Sequence, residues 1–179
     1  MHPIQMVDLK RQYHKIKAEV DEAVLNVMES TAFINGKPVQ DFASDLSAYL
    51  GVKHVIPCAN GTDALQIAMM ALDLKPGDEV ILPTFTIISC ATAVVYSGAT
   101  PVLVDSDPKT WCMDVDHVRD RITSKTKAIL PVHMYGHPVD MDPLLEIAEK
   151  NGLAIIEDAA EAHGAEYATK RTGTLRWVR

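Results

Sequence analysis

Residues 153–164 read Leu153-Ala154-Ile155-Ile156-Glu157-Asp158-Ala159-Ala160-Glu161-Ala162-His163-Gly164. An apolar run ends in two acids and gives way to small residues, then to Glu161, His163 and Gly164. A short apolar run bounded in this way reads as a buried strand of a parallel sheet. It delivers a carboxylate to the sheet's carboxyl edge, where open α/β sheets bind their ligands. A carboxylate there either binds a cation or holds a proton on a basic ring nitrogen. Equally, Asp158 is placed to cap a following helix.

Outward from this stretch, strand patterns alternate with helix patterns. Asp142-Pro143 starts a helix, with a cap and a first-turn proline, and Asn151-Gly152 ends it. Before it come a strand over Lys127–Val132, a helix over Asp114–Arg121 and a strand over Pro101–Asp105. Further back are a helix over Ile87–Tyr96, a strand over Glu79–Leu82 and a helix opened by Asn60-Gly61-Thr62-Asp63. Lys53–Pro57 reads as a short strand. Helices are expected over 38–50, with Phe42, Leu46 and Tyr49 on one face and Gly51 as stop, and over 8–29. Asp8 caps the latter, and Leu9, Tyr13, Ile16, Val20, Val24 and Val27 recur at steps of three and four. The alternation predicts an α/β fold with a mainly parallel sheet, in one domain.

The chain has 179 residues, 47% of them hydrophobic and 23% charged, enough for a sizeable core in a soluble globular protein. A net charge of −7 with scattered basic residues argues against a nucleic-acid partner. No apolar run approaches bilayer-spanning length, and Met1-His2-Pro3-Ile4-Gln5 has no signal-peptide pattern. Cys58, Cys90 and Cys112 lack metal-ligand spacing and read as free thiols in a reducing cytoplasm.

Gly61-Thr62 at a helix start suits an anion, because free N–H groups, the helix dipole and a hydroxyl converge where glycine allows close approach. An ordinary cap with a glycine turn explains the same residues. The sequence holds neither a P-loop nor a G-x-G-x-x-G after a strand. Phe85 and Ile87, after a strand, either cover the face of a flat cofactor or pack in the core. His133 and His137 follow a strand with glycine between them, so helical zinc spacing does not apply. Glu161 and His163 either reach a ligand beside Asp158 or lie on the surface. Asp105 and Asp107 read as turn residues.

Four segments taken in order, Asn60-Gly61-Thr62-Asp63-Ala64-Leu65, Pro83-Thr84-Phe85-Thr86, Pro131-Val132-His133-Met134-Tyr135-Gly136 and Glu157–Gly164, resemble the DegT/DnrJ/EryC1/StrS family. Its members are nucleotide-sugar aminotransferases that use pyridoxal 5'-phosphate (PLP). The resemblance runs from Ile4 to about Thr174. It implies the large domain of a fold-type I PLP-dependent transferase, three-layered, mainly parallel and truncated. Residues 1–179 would be the N-terminal part of that domain, with the small C-terminal domain absent.

Carried over residue by residue, the resemblance implies that Gly61 and Thr62 hold the PLP phosphate and that Asp158 pairs with the pyridine nitrogen. Glu161 stands where members often have Gln near the ring hydroxyl. Ile87 stands where many have an aromatic over the ring, so stacking becomes plain apolar cover. Gly36 and its loop resemble the border of the sugar-nucleotide pocket. After Thr174 members continue through Phe-Gly-Asp to a Ser and the Schiff-base lysine, whereas this chain reads Leu175-Arg176-Trp177-Val178-Arg179. That lysine is therefore expected beyond the chain end, with Lys170, the nearest candidate, pointing to solvent.

The expected activity of the full-length enzyme is amino transfer, with glutamate as donor, to a nucleotide-linked keto sugar for polysaccharide or amino-sugar biosynthesis. A cytoplasmic homodimer is the implied setting. Thr110–Asp114 and Tyr135–Asp142 look most like perosamine-synthase members, which aminate a GDP-linked 4-keto-6-deoxy sugar. The N-terminal third looks closer to members that aminate UDP-linked 3-keto sugars. Two other readings stand beside amination: a non-catalytic PLP- or partner-binding fragment, and a relative of the sugar dehydratases that carry His in place of the lysine.

Overall fold

The computed structural model describes residue 4 and residues 6–175. Met1–Pro3, Gln5 and Arg176–Arg179, which entered the sequence reading, lie outside the described residues. The chain divides into two compact units, Met1–Pro57 and Cys58–Arg179.

The first unit contains helices α1 (Leu9–Ser30) and α2 (Lys37–Leu50). Asp8 caps α1 by accepting from the Arg11 N–H at 2.9 Å. Gly51, at φ +71°, ends α2 in the left-handed conformation that glycine adopts without strain. Gly36 is required for space, because a Cβ there would collide with the Ala32 carbonyl. The expected apolar stripes are present but largely exposed: Leu9, Tyr13, Ile16, Val24, Phe42 and Tyr49 are exposed, while Val20, Val27 and Leu46 are half-buried. Lys53–Pro57 forms no strand. Ile56 is exposed, and the segment pairs with no neighbour among the described residues, without which an extended stretch has no ladder.

The second unit is a three-layer α/β structure. Strands β1 (Glu79–Pro83), β2 (Thr100–Val104), β3 (Thr126–Ile129) and β4 (Ala154–Ile155) form one parallel sheet in the order β2-β1-β3-β4. Helices α3 (Gly61–Ala71), α4 (Ile88–Tyr96), α5 (Val115–Arg121) and α6 (Met141–Asn151) connect or flank these strands. Strand alternation splits the core in two. Val80, Leu82, Ala128, Leu130 and Ile156 pack with Leu65, Met69, Cys90 and Val94 of α3 and α4. Ile81, Ile129 and Ile155 pack with Val118, Leu144, Ile147 and Ala148 of α5 and α6. Each fully buried Ile, Leu or Val contributes about 1.5–3 kcal/mol. A small hairpin, β5 (Glu166–Tyr167) with β6 (Lys170–Arg171), follows.

β3 and β4 are shorter than the apolar runs suggest. Pro131 has no N–H to donate and interrupts the ladder. Pairing resumes beyond it, with the Asp158 N–H donating to Pro131 O at 2.9 Å and the His133 N–H to Asp158 O at 3.0 Å. α6 begins at Met141 instead of after an Asp142 cap. Asp140 stands at its cap position without a capping bond, its carboxylate taken by the Tyr167 hydroxyl at 2.6 Å.

Candidate functional site

Sheet topology fixes where the site lies. β1 continues to β2 on one side, while β3 and β4 lie on the other, so the order reverses between β1 and β3. That crevice, beyond the carboxyl ends, is where open α/β sheets hold ligands. A cavity of about 430 Å³ opens there. Its walls are the segments after β1 (Phe85, Thr86, Ile87), after β3 (Val132–Tyr135) and after β4 (Asp158, Ala160, Glu161).

Asp158 is buried, with 8% of its surface exposed. No helix follows it, so the capping alternative reduces to a local turn in which Oδ1 accepts from the Ala160 N–H at 3.1 Å. Oδ2 faces the Cys90 thiol at 3.3 Å. Burial pushes that thiol up to about 12, so it stays protonated and donates. Among the described residues the Asp158 carboxylate has no cationic partner, an arrangement that is costly for a buried charge.

Glu161 also lines the cavity, and its Oε2 accepts from the Tyr135 N–H at 2.8 Å. Tyr135 is held at φ +52°, a conformation that bulky residues seldom adopt. Ile87 is 61% exposed and belongs to the cavity wall, not to the core. Phe85 is half-buried and packs its ring against Trp111 (5.2 Å between centroids) and Tyr135 (6.2 Å).

Gly61 and Thr62 stand outside the cavity lining, at the exposed start of α3. Asn60 caps this helix by accepting from the Asp63 N–H at 2.9 Å, which leaves the Gly61 and Thr62 N–H groups without a protein partner among the described residues. A Cβ at Gly61 would meet nothing within 4 Å, so packing does not account for the glycine. The Thr62 hydroxyl bonds that of Ser89 at 3.0 Å. The first turn of α4 therefore joins the two parts, Ser89 reaching Thr62 and Cys90 reaching Asp158. Sequence reasoning assigned neither α4 residue to the site, since each acts through a partner distant in sequence, Thr62 for Ser89 and Asp158 for Cys90.

It also passed over the Glu157–His133 pair. Val139 donates its N–H to His133 Nδ1 at 3.1 Å, which leaves the ring proton on Nε2, 3.0 Å from Glu157 Oε2. His137 and His163 are exposed and line neither this pair nor the cavity, and Lys170 is exposed on the β5–β6 hairpin. Asp105 and Asp107 are turn residues: Asp105 accepts from Ser106 N–H, and Asp107 from Lys109 and Thr110 N–H.

Comparison with known proteins gives consistent likenesses. The model of the DegT/DnrJ/EryC1/StrS aminotransferase family matches residues 14–178. The GDP-perosamine synthase of Caulobacter vibrioides is 50% identical over 153 residues, which are 85% of this chain and 41% of that protein. The structure of S. venezuelae DesV in complex with a ketimine intermediate superposes with a TM-score of 0.92 at 43% identity, over 95% of this chain and 46% of that one. The PLP-form of the putative sugar aminotransferase Spr1654 from Streptococcus pneumoniae gives 0.84 at 31% identity, over 89% and 44%. The chain thus spans somewhat less than half the length of these relatives.

Proposed function

The chain belongs to the DegT/DnrJ/EryC1/StrS aminotransferase family, and from that premise we propose that it forms the PLP-holding part of an enzyme that transfers an amino group to a nucleotide-linked keto sugar. One observation carries the reading. A buried carboxylate, Asp158, stands at the sheet's switch point with a thiol and one N–H as donors but no positive charge among the described residues. A protonated pyridine nitrogen supplies the missing cation, and the cavity beside it is of a size for a single aromatic ring and its substituents.

PLP bound here supplies an electron sink. Asp158 holds the proton on the ring nitrogen, and the Cys90 thiol and Ala160 N–H orient its two oxygens. The unpartnered N–H groups of Gly61 and Thr62, with the Thr62 hydroxyl, take the phosphate at the helix N-terminus. Ile87, on the cavity wall, would give the ring apolar cover and help exclude water. Glu161, already fixed by the Tyr135 N–H, lies toward the ring hydroxyl. Glutamate is the proposed donor and a second copy of the chain the proposed partner, as the family resemblance implies. Three free thiols suit a reducing cytoplasm, and no described helix is long and apolar enough to cross a membrane.

The test is titration of the purified chain with PLP, followed by absorbance and by borohydride treatment with mass spectrometry. Saturable binding that Asp158→Asn weakens supports the reading. Binding indifferent to that change, or no binding, sinks it.

A further inference from the structure

We propose that Glu157 is a positioning residue of this site: its carboxylate, on the opposite face of the strand from Asp158, ties the end of β4, the His133–Tyr135 loop and the Gly173–Leu175 segment into one frame around the cavity. The inference rests on the cofactor reading above.

Three N–H donors converge on this one group. His133 Nε2 lies 3.0 Å and Gly173 N 2.8 Å from Oε2, and Leu175 N lies 2.7 Å from Oε1. The side chains are closed from solvent, His133 at 0% and Glu157 at 7% exposure. A buried carboxylate is tolerable only when so satisfied. Strand alternation separates the two acids. Asp158 follows Ile156 toward Cys90 and α4, while Glu157 follows Ile155 toward Val139 and Leu175. Between them the backbone of Asp158 bonds Pro131 O and His133 N. The strand end is thus held by its backbone and from both faces. Above this level Glu161 Oε2 takes the Tyr135 N–H, a second tie between the same two walls.

An amide cannot replace the carboxylate. Glu157→Gln sets an NH₂ against at least one N–H donor. The imidazole cannot relieve this by changing tautomer, because Nδ1 must stay an acceptor for Val139. The strand end, and the Asp158 carboxylate with it, must then shift relative to the β3 loop.

The experiment uses the whole chain with PLP as probe, and reads affinity, the absorption spectrum of bound PLP and the thermal unfolding midpoint. The variants are Glu157→Gln, His133→Asn and, as control, Asp158→Asn. His133→Asn keeps an acceptor near Val139 and removes the donor to Glu157 with the outer part of the ring, leaving Glu157 its Gly173 and Leu175 N–H donors, and it serves should Glu157→Gln not fold. The proposal expects PLP affinity about tenfold weaker in Glu157→Gln, a smaller loss in His133→Asn, and in both a spectral change in the direction of Asp158→Asn. Variants that unfold at lower temperature yet bind PLP with unchanged affinity and spectrum give Glu157 a merely structural role and overturn the proposal. If Asp158→Asn also binds as the wild type does, or the wild type binds no PLP, the proposed function fails and takes this inference with it.

Discussion

The sulfur of Cys90 lies 3.3 Å from Oδ2 of Asp158, across 68 residues of chain. Cys90 comes out of the packed α3–α4 core and Asp158 opens onto the cavity. The contact therefore links the core directly to the group assigned to the cofactor ring. Thr86 Oγ1, 3.1 Å from the same sulfur, extends the link to the cavity wall.

Burial holds the Cys90 thiol near 12, above its ordinary value near 9. Between these values the unfolded chain loses a proton that the native chain keeps, so stability falls as pH rises from about 9 toward 12. Denaturation midpoints should decline over that range more steeply in the wild type than in Cys90→Ser, whose hydroxyl does not titrate there.

The three thiols should separate cleanly under alkylation. Cys58 is exposed, whereas Cys90 and Cys112 are buried, and burial raises both buried thiols. Iodoacetamide near neutral pH should label Cys58 alone, with the other two reacting only after denaturation. Peptide mapping by mass spectrometry checks this.

Asp158→Asn should cost far more in PLP binding than in stability. In the PLP-free chain the amide oxygen still accepts from the Ala160 N–H while the NH₂ turns to the weakly accepting Cys90 sulfur, so stability should change little. Loss of the pairing charge costs at least about 2 kcal/mol of PLP affinity, roughly 30-fold. Unfolding curves with and without PLP measure both.

Thr62→Val keeps the shape of the side chain but deletes its hydroxyl and the bond to Ser89. A loss of about 1 kcal/mol in PLP affinity is expected, with inorganic phosphate competing less well in the variant than in the wild type. Equal competition in both would detach Thr62 from the phosphate.

Gly136 sits at φ +84°, and a Cβ there would come 3.4 Å from the Glu161 carbonyl oxygen. Gly136→Ala should cost about 1–2 kcal/mol in stability through backbone conformation. The denaturant midpoint reports it.

Much of this architecture is legible from periodicity and punctuation. Asp8, Gly51, Asn60, Asp114 and Gly152 mark helix ends that the structure keeps within a residue or so. The four strand positions of the sheet follow from apolar runs that end in turn or acidic residues. Lys53–Pro57 misleads because a local apolar run cannot show whether a neighbouring strand exists to pair with it. Of the residues that line the cavity, Ile87, Asp158 and Glu161 are legible because each lies in the segment leading away from a strand's carboxyl end, where topology decides the surroundings. Ser89, Cys90, Glu157 and His133 are not. Their roles depend on partners between 16 and 68 residues away, which no local pattern encodes. The adjacent acids Glu157-Asp158 do carry a hint: consecutive strand residues face opposite sides, so two acids there cannot serve one purpose.

The strand order β2-β1-β3-β4 also has a consequence in time. As the chain is made from its N-terminus, β1 and β2 can pair early, and the turn at Gly61, proposed to hold the cofactor phosphate, precedes both. β4, which leads into Asp158, is the last strand of this sheet to be made and can dock only on a β3 already in place. Every pairing in this sheet must also close a long crossover, which makes such topologies slow to form. On the proposed assignment, the group that pairs with the ring is thus made after the group that holds the phosphate. A nascent chain would therefore carry the helix start proposed to bind the anion before it carries the carboxylate proposed to recognise the ring.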